Sequence, residues 1–575
     1  MEDLSTKFRR ALVALRNWSK HDLGALFYCN RELKNKIREL QVKESEIGLD
    51  EEENRLLGKL MEFHRKGALE ERWWWQRAKV QWAQLGDKNT QFFHAAATSR
   101  WLHNHILHMK NDKGELETTD EGISNIILNH FEAKWRHHSI ISPLANFAPR
   151  ATISYDQSSL LTQEVTQEKI IGAIRAIRKN KAPGINEITA EFLQGYRDIT
   201  QNHIVHAIEF FVIKKMPMSW KDTLITLIPK KQGVNEHNHF RPISLCNTIY
   251  KVVAHILVER LKAVLLTVIS SEQGVFVPGR SISDNIFIAQ EMATRMHSSA
   301  SKQGMMAIKI DMEQAYDRVH WQFVDDMMRF LGFPREWRDW IMACISSPRF
   351  GILLNGTKLP WIQASCGLRQ GCPLSPYIFT IVTKRMSSLM HEYEVRTLLG
   401  FRCAQRAPVV SHLMYADDLL LYVLATRAAA HSVHTILKDF QKSVGLNANL
   451  SKSKIFFSKA MSGWRKNMIA NKVQILQGQI LNYLGVLIAA NLFTKEDFNY
   501  IIQKIVQQIS KWQIRPLSLA GRVMMINSVL HAIPSHVLAH CVVQEGLLTL
   551  LIIMFSNYEA LPLVRDLMLH PIHYY

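Results

Sequence analysis

The segment Ser411–Leu424, SHLMYADDLLLYVL, sets the tightest limit on what this chain can fold into. Two apolar, strand-like runs flank Ala416-Asp417-Asp418. The simplest structure for that pattern is a β-hairpin with adjacent aspartates at its tip. Neighbouring carboxylates repel, and removing them from water is costly without a cation. A hard divalent ion such as Mg²⁺ would relieve that repulsion. The same pattern also fits an ordinary acidic turn between two core strands.

Three further segments bear on that choice. Met305–Trp321, MMAIKIDMEQAYDRVHW, reads as a buried strand ending at Asp311, followed by a turn into a helix. An acid at the end of an apolar strand can join a second carboxylate site. Two-metal phosphoryl transfer needs that set, one ion activating a 3′-hydroxyl and the other steadying the leaving pyrophosphate. Asp317, six residues on, reads instead as an acid at a helix N-terminus. Gly367–Phe379, GLRQGCPLSPYIF, has glycines that permit close backbone approach, and Ser375-Pro376 can start a helix. It could form a floor under a base pair or a plain structural turn, and its spacing is not that of an ATPase phosphate loop. Leu224–Leu245 reads as a β-hairpin with Lys230, Lys231 and Arg241 on its arms. Those cations would hold a triphosphate if they face a metal site, or belong to a solvated basic hairpin.

The 575 residues are 47% hydrophobic, enough for a sizeable core. A formal charge of +19 favours a polyanionic partner, nucleic acid before an anionic membrane surface. The seven cysteines are scattered without a CxxC, which excludes a disulfide framework and a cysteine zinc site and suits a reducing, intracellular setting. No secretory leader or membrane-length apolar run occurs, and Leu547–Phe555 is too short to span.

Residues 1–95 read as a helical extension, either an amphipathic pair or a basic arm. There Trp73, Trp74, Trp75 and Trp82, with Arg72, Arg77 and Lys79, could stack on bases or bury against a helix. Gly86-Asp87, within Leu85–Phe93, is expected to break the helix. In the mixed stretch 96–160, Lys110–Glu115 reads as a hairpin turn. The His-rich segments His103–His108 and Glu236–His239 read as solvated loops, not metal sites. Thr162 and Thr166 are expected helix starts before Ile170–Ile177.

Taken in order, these segments resemble the reverse transcriptase of plant non-LTR (LINE-type) retrotransposons, from about Trp73 to about Pro534. The matching words are WWWQRAKVQWAQLGDKNTQFFH, KAPG, IPKK…FRPISL, EQGVFVPGRSISDN, KIDMEQAYDRVHW, GLRQGCPLSP, YADD, GLNANLSKSK, YLGV and LSLAGRVMMINSVL. The resemblance implies an α+β right-hand polymerase with fingers, palm and thumb and an antiparallel palm sheet. It implies a helical extension over 1–95, a connector over 96–160, fingers and palm over 161–489, a thumb-like region over 490–540 and an unassigned tail over 541–575. The activity it implies is Mg²⁺-dependent (Mn²⁺ as substitute) DNA synthesis from deoxynucleoside triphosphates on an RNA template and a DNA primer, in the nucleus and without a membrane partner.

By position, Asp311, Asp417 and Asp418 resemble the catalytic, metal-holding triad. Lys230 and Arg241 resemble the triphosphate-binding pair, and Tyr316 the residue that excludes a ribose 2′-hydroxyl. Gln370 and Gly371 resemble the contacts beneath the incoming nucleotide, and Lys452 and Lys454 the basic positions near the primer. The departures are Ile185-Asn186-Glu187 where the family has a Pro-Asp-Gly turn, which is expected to lose the turn chemistry, and Gln314 where it has Lys. Nothing before Trp73 resembles an endonuclease, and no downstream Cys/His-rich segment is found. The alternative expectation is therefore a decayed or host-captured nucleic-acid-binding remnant of the same fold.

Overall fold

The computed structural model describes residues 4–18, short stretches between 36 and 60, residue 98, and 101–136, 151–213, 216–231, 233–313, 315–397, 400–478, 480–488, 495–513, 526–541, 543 and 545–556. The tryptophan cluster from Trp73 to Trp82, its basic neighbours, the Leu85–Phe93 turn and Gln314 lie outside the described residues. The chain divides into two compact units. One comprises Met1–His105, Lys495–Pro534 and Glu545–Tyr575; the other comprises Ile106–Thr494 and Ser535–Gln544. The first contains the helices Leu4–Trp18, Asn499–Gln513 and Glu545–Ser556. No described helix is long and apolar enough to cross a membrane.

The second unit carries, in chain order, strands β1 (Met109–Lys110), β2 (Leu116–Glu117), β3 (Thr223–Pro229), β4 (Phe240–Leu245), β5 (Met305–Met312), β6 (Arg349–Leu354), β7 (Thr357–Gln363), β8 (Phe401–Arg402), β9 (Val409–Val410), β10 (His412–Tyr415), β11 (Asp418–Leu424), β12 (Ala448–Phe457), β13 (Leu476–Gln477), β14 (Leu481–Tyr483) and β15 (Val486–Ile488). The β1–β2 pair is the hairpin expected around Lys110–Glu115.

The larger sheet has the order β10-β11-β5-β12-β13. Its middle strand β5 and its neighbour β11 are near-continuous apolar runs because both faces are covered. The sheet is antiparallel from β10 to β12, but β13 joins β12 in parallel. The antiparallel sheet expected is found from β10 to β12, and β13 departs from it. The helix Gly463–Val473 lies between β12 and β13, and a crossover of that kind returns the chain in the same direction.

The second sheet runs β4-β3-β6-β7. The expected Leu224–Leu245 hairpin forms it together with the later strands β6 and β7. One side of its core is supplied by the helix Asp120–Trp135. Ile123, Ile127, Phe131 and Trp135 recur at helical spacing and cluster with Ile225, Leu227, Phe240, Phe350 and Ile352. Each such side chain, fully buried, stabilises by roughly 1.5–3 kcal/mol.

Three local expectations are corrected. Thr162 ends a helix instead of starting one, because Ser154 and Gln157 form a capping box that starts Tyr155–Thr162. Thr166 does cap Gln167–Ala176. His237 is not a solvated loop residue; it opens a 3₁₀ turn, and its ring lies against that of His130 with centroids 4.2 Å apart and the planes tilted by 45°. The turn at Ile185-Asn186-Glu187 is kept. Glu187 N donates to Gly184 O at 3.0 Å, and Asn247 Oδ1 accepts from Asn186 N at 3.2 Å. Glu187 adopts φ +54°, the left-handed conformation that glycine would ordinarily supply.

Candidate active site

The β10–β11 hairpin closes with Tyr415 paired to Asp418, leaving Ala416 and Asp417 at its tip. Across the sheet Leu419 pairs with Ile310. One residue further along each strand, Asp418 and Asp311 therefore stand side by side at the same end of the sheet. Asp311 is fixed from its other side, where its N donates to Ser453 Oγ at 3.1 Å beside the bulge in β12. The fold thus brings Asp311, Asp417 and Asp418 together.

Burial pushes the carboxyls of Asp417 and Asp418 up from their ordinary values, and the charge of Asp311 adds to the push. Lys309 opposes it, with its Nζ 3.3 Å from Asp418 Oδ1. A crowded set of three carboxylates with one nearby ammonium fits hard divalent ions bound through oxygen. Sequence reasoning passed over Lys309. The signal was present, since residues two apart on a strand share a face.

The tip is held from behind. Ala416 sits at φ +58°, and its N donates to Gln273 Oε1 at 3.2 Å. Gln273 is buried, and its Nε2 donates to Thr383 Oγ1 at 3.2 Å. The local sequence gave no sign of this role.

Tyr316 is stacked on Phe379 at 4.8 Å, near Asp417. Burial and that charge push its hydroxyl up to about 12. The loop around Gly367 and Gly371 lies against two elements. Leu368 N donates to Tyr316 O at 2.7 Å, and Ser244 N donates to Gln370 O at 2.7 Å. Gly367 and Gly371 have φ of +93° and +110°. A Cβ on Gly367 would lie 2.6 Å from Asp317 O, and one on Gly371 would lie 3.0 Å from Ser244 O. The expected close backbone approach is met, and Ser375 opens the following helix, Ser375–Thr397.

Lys230 follows β3 and Arg241 lies on β4, paired with Ile228. Burial lowers the Lys230 ammonium, and the charges of Lys134, Lys452 and Arg241 lower it further. Four cations thus share one neighbourhood. Lys454 stands apart from them on β12, paired with Lys309 and Leu476. Asp317 is not at a helix N-terminus, because the helix begins at Trp321. It is paired instead with Lys134 Nζ at 2.8 Å and accepts from Trp135 Nε1 at 3.3 Å.

A second group of possible ligands, Glu272, His391 and His412, lies behind β10. Both ring nitrogens of His412 are already engaged, by Ser411 Oγ at 3.0 Å and Ser387 Oγ at 2.9 Å. His391 Nε2 bonds Glu272 Oε1 at 2.9 Å. Although burial alone would raise it, the His391 bond and the nearby His412 hold the Glu272 carboxyl down at about 2. This polar network ties the 270–281 loop and the helix Ser375–Thr397 to the hairpin, and leaves the buried Glu272 Oε2 without a hydrogen-bond partner.

Residues 228–488 match the family described as reverse transcriptase (RNA-dependent DNA polymerase), just under half of the chain. The chain is 27% identical over 392 residues to the Transposon TX1 uncharacterized 149 kDa protein of Xenopus laevis, covering 66% of this chain and 28% of that protein. It is 28% identical over 211 residues to a retrovirus-related Pol polyprotein from type-1 retrotransposable element R2 of Nasonia vitripennis, covering 36% and 19%. It is 24% identical over 282 residues to the probable RNA-directed DNA polymerase from transposon BS of Drosophila melanogaster, covering 47% and 30%. The chain thus spans less than a third of the length of each of these relatives. The acid cluster and most of the two sheets lie within residues 228–488, the stretch that matches the reverse transcriptase family.

Proposed function

We propose that the protein is the RNA-directed DNA polymerase of a LINE-type retroelement, adding deoxynucleotides to a DNA primer on an RNA template, with the nucleus as its site of action. The observation that carries this reading is the convergence of Asp311, Asp417 and Asp418 at one end of β5 and β11 inside the reverse transcriptase match. In this reading the β10-β11-β5-β12-β13 sheet is the palm, the β4-β3-β6-β7 sheet belongs to the fingers, and residues 490–540 are the thumb.

Asp311, Asp417 and Asp418 hold Mg²⁺, with Mn²⁺ as a substitute. Bound there, the ions supply positive charge to the attacking and leaving oxygens. Lys230 and Arg241 receive the triphosphate, since charge-assisted bonds to phosphate are the strong ones. Tyr316 closes the space beside the sugar, and Gln370 and Gly371 form the floor under the incoming base. Lys452 and Lys454 meet the primer backbone.

The test is primer extension on an RNA template with Mg²⁺, comparing wild type with Asp417→Asn. The expected result is extension by the wild type and none by the variant, with template binding kept by both. Wild-type protein that binds template yet never extends a primer would favour the remnant reading over the enzyme.

A further inference from the structure

The family match begins at residue 228, yet one ion pair at the proposed site comes from well before it. Lys134 and Trp135 end the helix Asp120–Trp135, whose apolar side is packed into the core of the β4-β3-β6-β7 sheet. Lys134 Nζ lies 2.8 Å from Asp317 Oδ2, with the two side chains only 9% and 14% exposed. Trp135 Nε1 takes the other carboxylate oxygen at 3.3 Å. Both oxygens of Asp317 are therefore fixed by one helix end.

The same helix end holds the neighbouring loop. Trp135 O accepts from Ser365 N at 2.9 Å and from Ser365 Oγ at 3.2 Å. Two residues later Gly367 N donates to Val319 O at 2.8 Å, and Leu368 N donates to Tyr316 O at 2.7 Å. Tyr316 and Asp317 are adjacent, so this helix end, the Tyr316 turn and the 367–371 loop form one hydrogen-bonded block. Asp317 also offsets the positive charge gathered around Lys230.

We propose that Lys134 is a positioning residue for nucleotide selection. It holds Asp317, and through it the Tyr316 turn, in the register that admits a deoxynucleoside triphosphate and rejects its ribo counterpart. This rests on the polymerase reading given above. A buried charge left without its partner is strongly unfavourable, so loss of Lys134 drives Asp317 to seek water or another cation. Lys230 already feels the charge of Asp317, and drawing it toward that carboxylate would weaken its hold on phosphate.

The test uses the full chain as wild type, Lys134→Met, Lys134→Arg, Asp317→Asn and the Lys134→Met/Asp317→Asn double variant. Single-nucleotide extension is measured with deoxy- and ribonucleotides, and binding of a fluorescent deoxynucleoside triphosphate with Mg²⁺ is read by anisotropy. Lys134→Met is expected to raise KM for the deoxynucleotide several-fold and to increase relative ribonucleotide use about tenfold. Its kcat is expected to change less, Lys134→Arg to restore most of the loss, and the double variant to be no worse than either single one. Unchanged KM, discrimination and anisotropy in Lys134→Met would overturn the inference, as would strictly additive single effects. A wild type that binds nucleotide but never extends removes the polymerase reading and leaves this inference to the anisotropy alone. A wild type that binds no nucleotide overturns both.

Discussion

Lys309 on β5 meets Asp418 on β11 at 3.3 Å, and the same ammonium donates to Asn482 O at 2.7 Å. It is thus the cation closest to the acid cluster, tethered to a backbone carbonyl, and it only partly offsets the repulsion among three carboxylates. The sign of the consequence is fixed. Asp417 and Asp418 have raised values in the folded chain, so the folded state binds their protons more tightly than the unfolded chain does. Stability from these groups is present below their ordinary value of 3.8 and is lost as pH rises through the raised values. Asp417→Asn is therefore expected to raise Tm at pH 7 by about 1–3 °C while ending catalysis. The gain should vanish below about pH 4. Calorimetry across pH, with and without Mg²⁺, checks this: Mg²⁺ should stabilise the wild type more than the variant.

Gln273 holds the hairpin tip through Ala416 N. Gln273→Ala leaves the Ala416 N–H without its acceptor, while the Thr383 hydroxyl keeps its bond to Thr380 O at 3.1 Å; the cost is about 1–3 kcal/mol in chemical denaturation. If extension follows the proposed mechanism, kcat should fall more than KM, since Asp417 is the next residue. Ala416→Val should be worse than Ala416→Gly, because a β-branched residue resists φ +58°. Equal stability of those two variants would contradict the account.

The loop glycines should separate strain from contact. Gly371→Ala places a Cβ 3.0 Å from Ser244 O at φ +110°, whereas Gly356→Ala at φ +92° meets open space. Both are strained, at about 1–3 kcal/mol, but only the first pushes the loop off β4. Reduced deoxynucleotide affinity in the first variant alone is the expected outcome. Gly172→Ala, inside the helix Gln167–Ala176 with nothing nearby, should stabilise by about 0.5–1 kcal/mol.

Tyr316 is locked against Phe379 by a near-parallel stack with an interplanar angle of 15°. Its ring is therefore held in one place, as steric exclusion of a 2′-hydroxyl requires. Tyr316→Ala should admit ribonucleotides while keeping measurable deoxynucleotide extension, and Tyr316→Phe should behave as wild type. An unchanged ribo-to-deoxy ratio in Tyr316→Ala would remove the residue from the site.

The acid-bearing elements were legible because their signal is local. An apolar run ending in an acid, and an apolar hairpin broken by two, can be read without knowing the rest of the fold. The join between them follows from the strand register that sets Leu419 against Ile310, which no local pattern contains. Thr162 misled because it resembles a cap, but Ser154 three residues before Gln157 makes the stronger one. Asp317 was misplaced for a similar reason. Its partners Lys134 and Trp135 lie far upstream in sequence, within the stretch 96–160 that reads only as mixed. The turn at Ile185 is kept without its usual residues: Glu187 takes the left-handed conformation, and Asn247, at the start of another helix, accepts from Asn186 N.

The parallel pairing of β3 with β6 joins Thr223, Leu224, Ile225 and Thr226 to Phe350, Gly351, Ile352 and Leu353. All four β3 partners precede residue 228, where the family match begins. The start of the family match is therefore not a boundary of folding. A piece expressed from 228 to 488 would keep the end of β3 against β4 and lose every hydrogen-bonded rung to β6, so one sheet would part into two ribbons. The freed edge of β6, stripped also of the apolar cover from Phe131 and Trp135, would be a ready template for aggregation. A well-folded piece of this chain has to include β3, which closes that edge, and the helix from Asp120, which covers the sheet's apolar face.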